Sequence, residues 1–437
     1  MQESNTMQQD DIRDRIFAST INKDHIGKNV SLVGWLEDFR DMGKIGFIII
    51  RDMTGNFQGV VVGEMISEFR EVQRQSIILV KGTIQETRAE NFKVEVMIEK
   101  IKILSKAVNP LPIDPTGRVK SLMDNRLDCR ALDLRNFRIS NIFRIRSYVL
   151  SLIRKFLYSK MFIEVNTPKI IASATEGGAD LFDFEYFSKK AYLAQSPQLY
   201  KEQLTLGLER VFEVSPYFRA EPSHTVRHLS EFISVDLEAA FLDYVDIMDI
   251  VQELVIATIN DLFVHHNEEM KHFENKPAIM VDTIPRITYQ KCLDDLRGLG
   301  EKLEFGDDFS DPALKKLGEI YPKFYFITDW PTKLKPFYIL EQENKSELSK
   351  SFDLQYGYLE IVSGGTREHD PEKLKNKLLE KGLNPKSFSD HLRTFEWGMP
   401  PHSGCGLGFD RLIMILTNSS NIREVVLYPR DTYRLTP

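Results

Sequence analysis

Residues 105–120 read SKAVNPLPIDPTGRVK, and the prolines at 110, 112 and 115 forbid a regular helix and cannot donate to a strand ladder. The stretch reads as a stiff linker, and it divides a chain of 437 residues that is longer than one ordinary core. Three parts are expected: residues 1–104, a linker over 105–135, and a large domain over 136–437.

Ahead of the linker the sequence runs in short β-rich bursts, NVSLVGWL, IGFIIIRD, FQGVVVG, IILVKGTI and FKVEVMIEKIKIL, separated by turn residues. These five strands fit a small barrel. Beyond it, Ile142, Ile145, Val149, Leu152, Ile153 and Phe156 recur at three- and four-residue steps, which predicts an amphipathic helix over 138–160. MFIEVNTPKII follows as a strand ending near Pro168. Further strands are predicted at KAYLAQ, VFEVSPYFRAE, EFISVDLEAAF, KPFYILEQ, SFDLQYGYLEIVSGG and CGLGFDRL, with helices at DYVDIMDIVQELVIATINDLFVHHNEEM and DPEKLKNKLLEKG. Without a regular βαβ beat, the expected fold class is α+β: a barrel, then an antiparallel sheet flanked by helices.

Composition narrows the function classes. A hydrophobic fraction of 42% and a charged fraction of 28% describe a globular protein, and no apolar run is long enough to span a membrane. The polar opening MQESNTMQQDD lacks the order of a secretory signal, so a cytoplasmic location is expected. Cys129, Cys292 and Cys405 form no CxxC pair, which argues against a disulfide framework or a structural zinc site. A net charge of −7 speaks against a surface that is basic all over, yet leaves room for one basic face that steers phosphates.

The densest chemistry lies in FRAEPSHTVRHLSEFISVDLE, residues 218–238. Arg219 and Glu221 are two apart and would share one side of a strand; a guanidinium there grips phosphate in fork geometry. Arg227 and His228 read as cations on a hairpin loop, suited to the outer phosphates of a nucleotide. In GCGLGFDRLIMIL, Gly404, Gly406 and Gly408 alternate on one face and let a flat ligand approach the backbone, with Asp410 and Arg411 at a helix start. This GxGxG run is not the dinucleotide fingerprint, because no βαβ unit follows. Asp353 and Glu360 stand an odd step apart on what reads as one strand, so a bulge or bend is needed for both to face a ligand.

These two segments resemble motif 2 (211–241) and motif 3 (404–416) of class II aminoacyl-tRNA synthetases, and FIEVNTP near 160–170 resembles motif 1, the family's dimer element. The resemblance covers nearly the whole chain. An OB-type barrel before the catalytic domain is the arrangement of subclass IIb, the aspartyl, asparaginyl and lysyl enzymes, and the compact form is similar to the archaeal and eukaryotic aspartyl branch. The resemblance implies a homodimer that uses ATP and magnesium to activate L-aspartate as its adenylate and load tRNA(Asp). tRNA(Asn) would be a second acceptor in an enzyme that does not discriminate.

The resemblance also assigns residues. Glu176, Gln198, Lys201, Arg219, Asp236, Ser363 and Arg367 would hold aspartate; Glu176, Gln198 and Asp236 accept from its ammonium, and Gly177-Gly178 suits a closing loop. Arg219, Glu221, Arg227, His228, Leu229, Phe232, Glu360, Gly408, Asp410 and Arg411 would hold ATP, with Phe232 under the adenine and Arg219 and Arg411 catalytic. Asp353, Glu360 and Ser363 would ligate magnesium, and Phe47 and Gln58 would stack on and read the middle anticodon base. A desolvated side-chain carboxylate needs cations, which Lys201 and Arg367 supply; an amide ligand would leave the ammonium of Lys201 unpaired. Asp410, Pro222 and Thr366 depart from the commoner Glu, acidic residue and Gln. The rival readings are an asparaginyl enzyme of the same architecture and a catalytically silent paralogue that only binds RNA.

Overall fold

The computed structural model describes residues 9–172, 181–222, 225–273 and 282–437. The chain forms two compact units, Met1–Cys129 and Arg130–Pro437. In the first, β1 (Asn29–Asp41), β2 (Ile45–Arg51), β3 (Asn56–Val62), β4 (Ile77–Gln85) and β5 (Glu95–Ser105) close into a barrel in the order β1-β2-β3-β5-β4. Alternation sends Leu32, Leu36, Ile48, Ile50, Val61, Ile78 and Val80 into the lumen, where each is buried. Phe47 and Gln58 fall on the opposite, outward face, because Phe47 pairs with Val60 and Ile49 with Gln58.

The second unit carries thirteen further strands among its described residues: β6 (Ile163–Glu164), β7 (Ile170–Ile171), β8 (Asp183–Tyr186), β9 (Lys189–Leu193), β10 (Arg210–Phe218), β11 (Glu231–Ala240), β12 (Arg286–Thr288), β13 (Phe324–Thr328), β14 (Glu341–Gln342), β15 (Lys345–Ser349), β16 (Ser351–Tyr356), β17 (Leu359–Thr366) and β18 (His402–Gly408). Eight of them form one sheet in the order β12-β13-β16-β17-β18-β11-β10-β6. Its interior is antiparallel as expected, but both edge pairs, β12 with β13 and β6 with β10, run parallel.

Three predicted strands are corrected. MFIEVNTPKII is not continuous: only the short β6 and β7 are strand, on either side of Pro168, whose missing N–H ends pairing there. SFDLQYGYLEIVSGG is a hairpin rather than one strand, since Gly357 adopts φ 55° and reverses the chain between β16 and β17. KPFYILEQ contributes only Glu341–Gln342 as strand.

One face of the sheet is covered by the helices Phe137–Ser159, Tyr244–His265 and Phe409–Leu416, which share a core with β11, β17 and β18. On the first helix Ile139, Ile142, Ile145, Val149, Ile153 and Leu157 are buried, so the stripe is centred one position away from Leu152 and Phe156, which are half-buried. Asn136 caps it, its side chain accepting from the Arg138 and Ile139 amides.

On β11, Val235, Leu237 and Ala239 point into that core, which leaves Phe232, Ser234, Asp236 and Glu238 on the opposite face. Truncating Ile145, fully buried at 0% exposure, is expected to cost about 2–5 kcal/mol of stability. Denaturant unfolding of Ile145→Ala checks this, with a lowered midpoint and an unchanged slope as the expected result.

Candidate active site

The polar face of β11 is matched by its neighbour. Ser234 pairs with Gly408, Asp236 with Gly406 and Glu238 with Gly404, so each polar side chain lies beside a glycine of β18. A Cβ on Gly404 would stand 2.2 Å from Glu238 Oε2, and one on Gly406 would stand 3.1 Å from Asp236 Oδ1. The alternating glycines therefore first make room for carboxylates. Gly406 and Gly408 line a cavity of about 310 Å³; Gly404 does not, so for it the expectation of a ligand-facing glycine is corrected.

The helix Gln198–Leu208 lies over this face and buries Gln198, Lys201 and Glu202. Lys201 donates to Asp236 Oδ1 at 3.0 Å and to the Cys405 carbonyl at 3.0 Å, and lies 3.5 Å from Glu238 Oε2. Arg367, just beyond β17, grips Glu238 with two donors, Nε to Oε1 at 2.8 Å and Nη2 to Oε2 at 3.1 Å. Burial alone would lower the pKa of both cations; the facing carboxylates, Asp236 and Glu238 for Lys201 and Glu238 for Arg367, more than offset it, and both are raised. The Lys201 ammonium is thus paired without any ligand, which corrects the argument that an amide ligand would strand it. Cys405, beside these groups, is pushed up by burial to about 12 and is no nucleophile.

The cavity brings together Gln198, Lys201, Arg219, Glu221, Arg227, His228, Leu229, Phe232, Asp236, Glu360, Ser363, Arg367, Gly408, Asp410 and Arg411. Ser363, Gly406 and Asp236 form one transverse row across three strands. Glu176 and the Gly177-Gly178 pair lie outside the described residues. β10 ends at Phe218, so Arg219 and Glu221 sit in the loop rather than on a strand. The Arg219 guanidinium lies 5.1 Å above the Phe232 ring.

Three assignments change character. His228 is not a cation at neutral pH: burial, then the charges of Arg411 and Arg227, push it down to about 4. The adjacent Arg227 is bonded to Asp311 at the start of the helix Asp311–Ile320. Asp410 is 2% exposed, and its carboxylate accepts from Arg146 and, at 2.9 Å, from the Ile233 amide. It therefore ties the Phe409–Leu416 helix to the strand that carries Phe232.

Asp353 faces Ser363 across the β16–β17 pair and Gln355 faces Glu360, past a register shift that supplies the expected irregularity. Asp353 does not line the cavity; its Oδ2 accepts from Lys335 at 2.7 Å, while its buried Oδ1 has no hydrogen-bond partner among the described residues. Glu360 is pushed up by burial and then by Asp353. The Asp353 carboxylate, with one oxygen unpartnered, and the neighbouring Glu360 fit a divalent ion with oxygen ligands. No cluster of three His, Cys, Asp or Glu is placed to hold a metal unaided among the described residues.

Sequence reasoning missed Glu238, Glu202 and Lys335. Glu238 was within reach, two positions beyond Asp236 on the same face; Lys335, between Leu334 and Pro336, carries no local signal.

On the barrel, Gln58 donates to Glu95 Oε2 at 2.8 Å, and Glu95 also accepts from Gln85 and Thr87. Phe47 is half-buried. Arg51 packs 5.3 Å over Trp35 and pairs with Glu37 at 3.6 Å.

The family described as tRNA synthetases class II (D, K and N) matches residues 122–432, and an OB-fold nucleic acid binding domain matches 30–104. An aspartate–tRNA(Asp) ligase of Pyrococcus horikoshii is 43% identical, over 96% of this chain and 99% of its own. An aspartate–tRNA(Asp/Asn) ligase of Methanothermobacter thermautotrophicus is 42% identical over 98% and 99%. Among solved structures, the asparaginyl-tRNA synthetase of Pyrococcus horikoshii complexed with asparaginyl-adenylate aligns with a TM-score of 0.92 at 33% identity, covering 97% of this chain and 99% of that one.

The neutral state of His228 is directly measurable. Its imidazole resonance, followed by NMR in the nucleotide-free protein, is expected to titrate near 4 instead of the ordinary 6.5. With the folded value below the unfolded one, its contribution to stability is complete above 6.5 and is lost as pH falls toward 4. A midpoint above about 6 contradicts this environment.

Proposed function

Because the chain belongs to the tRNA synthetases of class II (D, K and N), we propose that it is an aspartate–tRNA ligase that forms aspartyl-adenylate from L-aspartate and ATP and transfers the aspartyl group to tRNA. The observation that carries this reading is the convergence of Lys201, Arg367 and Ser363 on one cavity with the motif 2 and motif 3 arginines.

Donor arrangement carries the choice of amino acid. Lys201 and Arg367 are balanced by Asp236 and Glu238, so the pocket holds no excess positive charge. What it offers is donors fixed in place: Arg367 has five N–H groups, of which Glu238 takes two. A carboxylate accepts from several such donors at once, whereas the NH2 of an amide would face them as a competing donor. The substrate's ammonium group would meet Gln198 and Asp236, which also line the cavity.

In the first step a carboxylate oxygen of aspartate attacks the α-phosphorus of ATP. The bond to the bridging oxygen breaks, and pyrophosphate leaves with its electrons. Arg219 stabilises the charge that develops at the α-phosphate, and Arg411 and Arg227 hold the outer phosphates; Arg227 must exchange Asp311 for phosphate to do so. Neutral His228 donates a hydrogen bond to phosphate without adding a charge. In the second step a hydroxyl of the terminal tRNA ribose attacks the adenylate carbonyl, and AMP leaves. No protein nucleophile takes part.

Asp353, Glu360 and Ser363 would hold magnesium together with ATP phosphates; when bound, the ion neutralises phosphate charge and favours departure of pyrophosphate. The barrel would read the anticodon through Phe47 and Gln58, with Glu95 orienting the Gln58 amide. The exposed Met161, Ile163 and Ile170 around motif 1 suit a homodimer interface, which sedimentation would reveal as a dimer mass.

The asparaginyl reading draws on the fold match to an asparaginyl enzyme, and pyrophosphate exchange separates the two. Aspartate is expected to support exchange far better than asparagine; asparagine winning refutes the assignment. Lys201→Met should raise the KM for aspartate by at least about tenfold and the KM for ATP much less. Gln58→Ala should leave adenylate formation intact and weaken charging by about tenfold, because stacking alone gives little base selection. Charging of tRNA(Asp) and tRNA(Asn) side by side then fixes the breadth of acceptor use.

A further inference from the structure

Behind the amino-acid pocket lies a second polar cluster that the proposed chemistry does not use. Glu202, on the helix that carries Gln198 and Lys201, is 0% exposed. Its Oε1 accepts from Gln198 Nε2 at 2.5 Å, and its Oε2 lies 3.5 Å from His402 Nε2 and 3.8 Å from His391 Nε2. Those imidazoles come from β18 and from the helix Ser389–Phe395, so three elements meet at this one carboxylate.

Hydrogen-bond roles fix where the protons are. His402 Nδ1 lies 2.8 Å from the Pro400 carbonyl, which only accepts, so Nδ1 carries a hydrogen. His402 Nε2 would then turn a lone pair toward a carboxylate, a repulsive arrangement in a buried site. One further proton must sit between Glu202 and His402. His391 approaches from its own helix, with its Nδ1 3.1 Å from Gln203 Nε2.

We infer that Glu202 is a positioning residue for the amino-acid pocket: sharing a proton with His402, it takes the amide N–H of Gln198 and so turns the Gln198 carbonyl oxygen toward the substrate's ammonium group. This rests on the aspartate-activating reading. A flipped Gln198 would meet an ammonium with its NH2, donor against donor. Nothing in an amide's shape prevents that flip; only its partner does.

The charges around the pair favour the shared proton. Burial, followed by the bond to Glu202, acts on His402, which ends above its ordinary value; burial opposes ionisation of Glu202, yet His402, His391 and Arg367 hold it below the usual carboxylate range. Glu238 also faces His402, whereas burial lowers His391, which stays neutral. The proton is therefore lost only as pH rises through the raised His402 value. Gln198 loosens on that alkaline side.

Two variants assayed by aspartate-dependent pyrophosphate exchange test the inference. Glu202→Leu removes the acceptor and should raise the KM for aspartate about tenfold, with kcat and the KM for ATP within about twofold of the parent. Glu202→Gln keeps an oxygen for Gln198 and offers its NH2 to His402, so it should recover most of the aspartate affinity. It should also lack the alkaline rise in aspartate KM that the parent shows. If Glu202→Leu does not fold, the pH profile of Glu202→Gln decides alone. Equal losses for aspartate and ATP, a Gln variant as impaired as the Leu variant, or an alkaline rise that persists in Glu202→Gln each overturn the inference. A parent protein that fails to exchange with aspartate would instead refute the functional reading beneath it.

Discussion

Four charged side chains are buried together on one face of the central sheet: Lys201, Asp236, Glu238 and Arg367, none more than 4% exposed. Each would be costly there alone, since removing one partner of a buried pair typically costs about 3–5 kcal/mol. They alternate in sign from the helix Gln198–Leu208 across β11 to the end of β17, so every charge has an opposite neighbour. The arrangement requires close approach of β11 and β18, and glycine at 404 and 406 is what leaves space for the two carboxylates. Because these groups tie helix to sheet and three of them, Lys201, Asp236 and Arg367, line the cavity, the pocket's shape and the packing of this region are one constraint.

Much of this was legible in the sequence because strand alternation is simple to read. Period two in EFISVDLE places Phe232, Ser234 and Asp236 together, and the same rule reaches Glu238; GxGxG on the neighbouring strand is its complement. The amphipathic spacing of 138–160 gave a helix found at Phe137–Ser159. What escaped depended on tertiary context. Gly357 marks a turn only once its left-handed φ is known, and without it SFDLQYGYLEIVSGG reads as one long strand. The charge of His228 depends on burial and on two arginines, one of them 183 positions away in the chain, at Arg411. Asp410 looked like a nucleotide ligand from its place in motif 3, but its carboxylate is engaged by Arg146 and the Ile233 amide.

The fold by itself does not select the amino acid. A structure at TM-score 0.92 belongs to an asparaginyl enzyme, while relatives at 42–43% identity carry aspartate in their names. The two substrates differ in one group, so the distinction must lie in the few donors and acceptors that meet it. Net charge does not make it, because the cations are already balanced. A site built from oriented donors rejects a ligand that presents a donor of its own, and such mismatches in buried sites are among the strongest sources of discrimination. Glu202 with His402 extends that logic one layer outward, to the orientation of Gln198.

The most direct measurement is a crystal structure with a non-hydrolysable analogue of aspartyl-adenylate. The account predicts the ligand's side-chain carboxylate within hydrogen-bond distance of both Lys201 and Arg367, with those cations still holding Asp236 and Glu238. A ligand whose carboxylate turns away from them, or a pocket in which either cation has left its carboxylate partner for solvent, would contradict it.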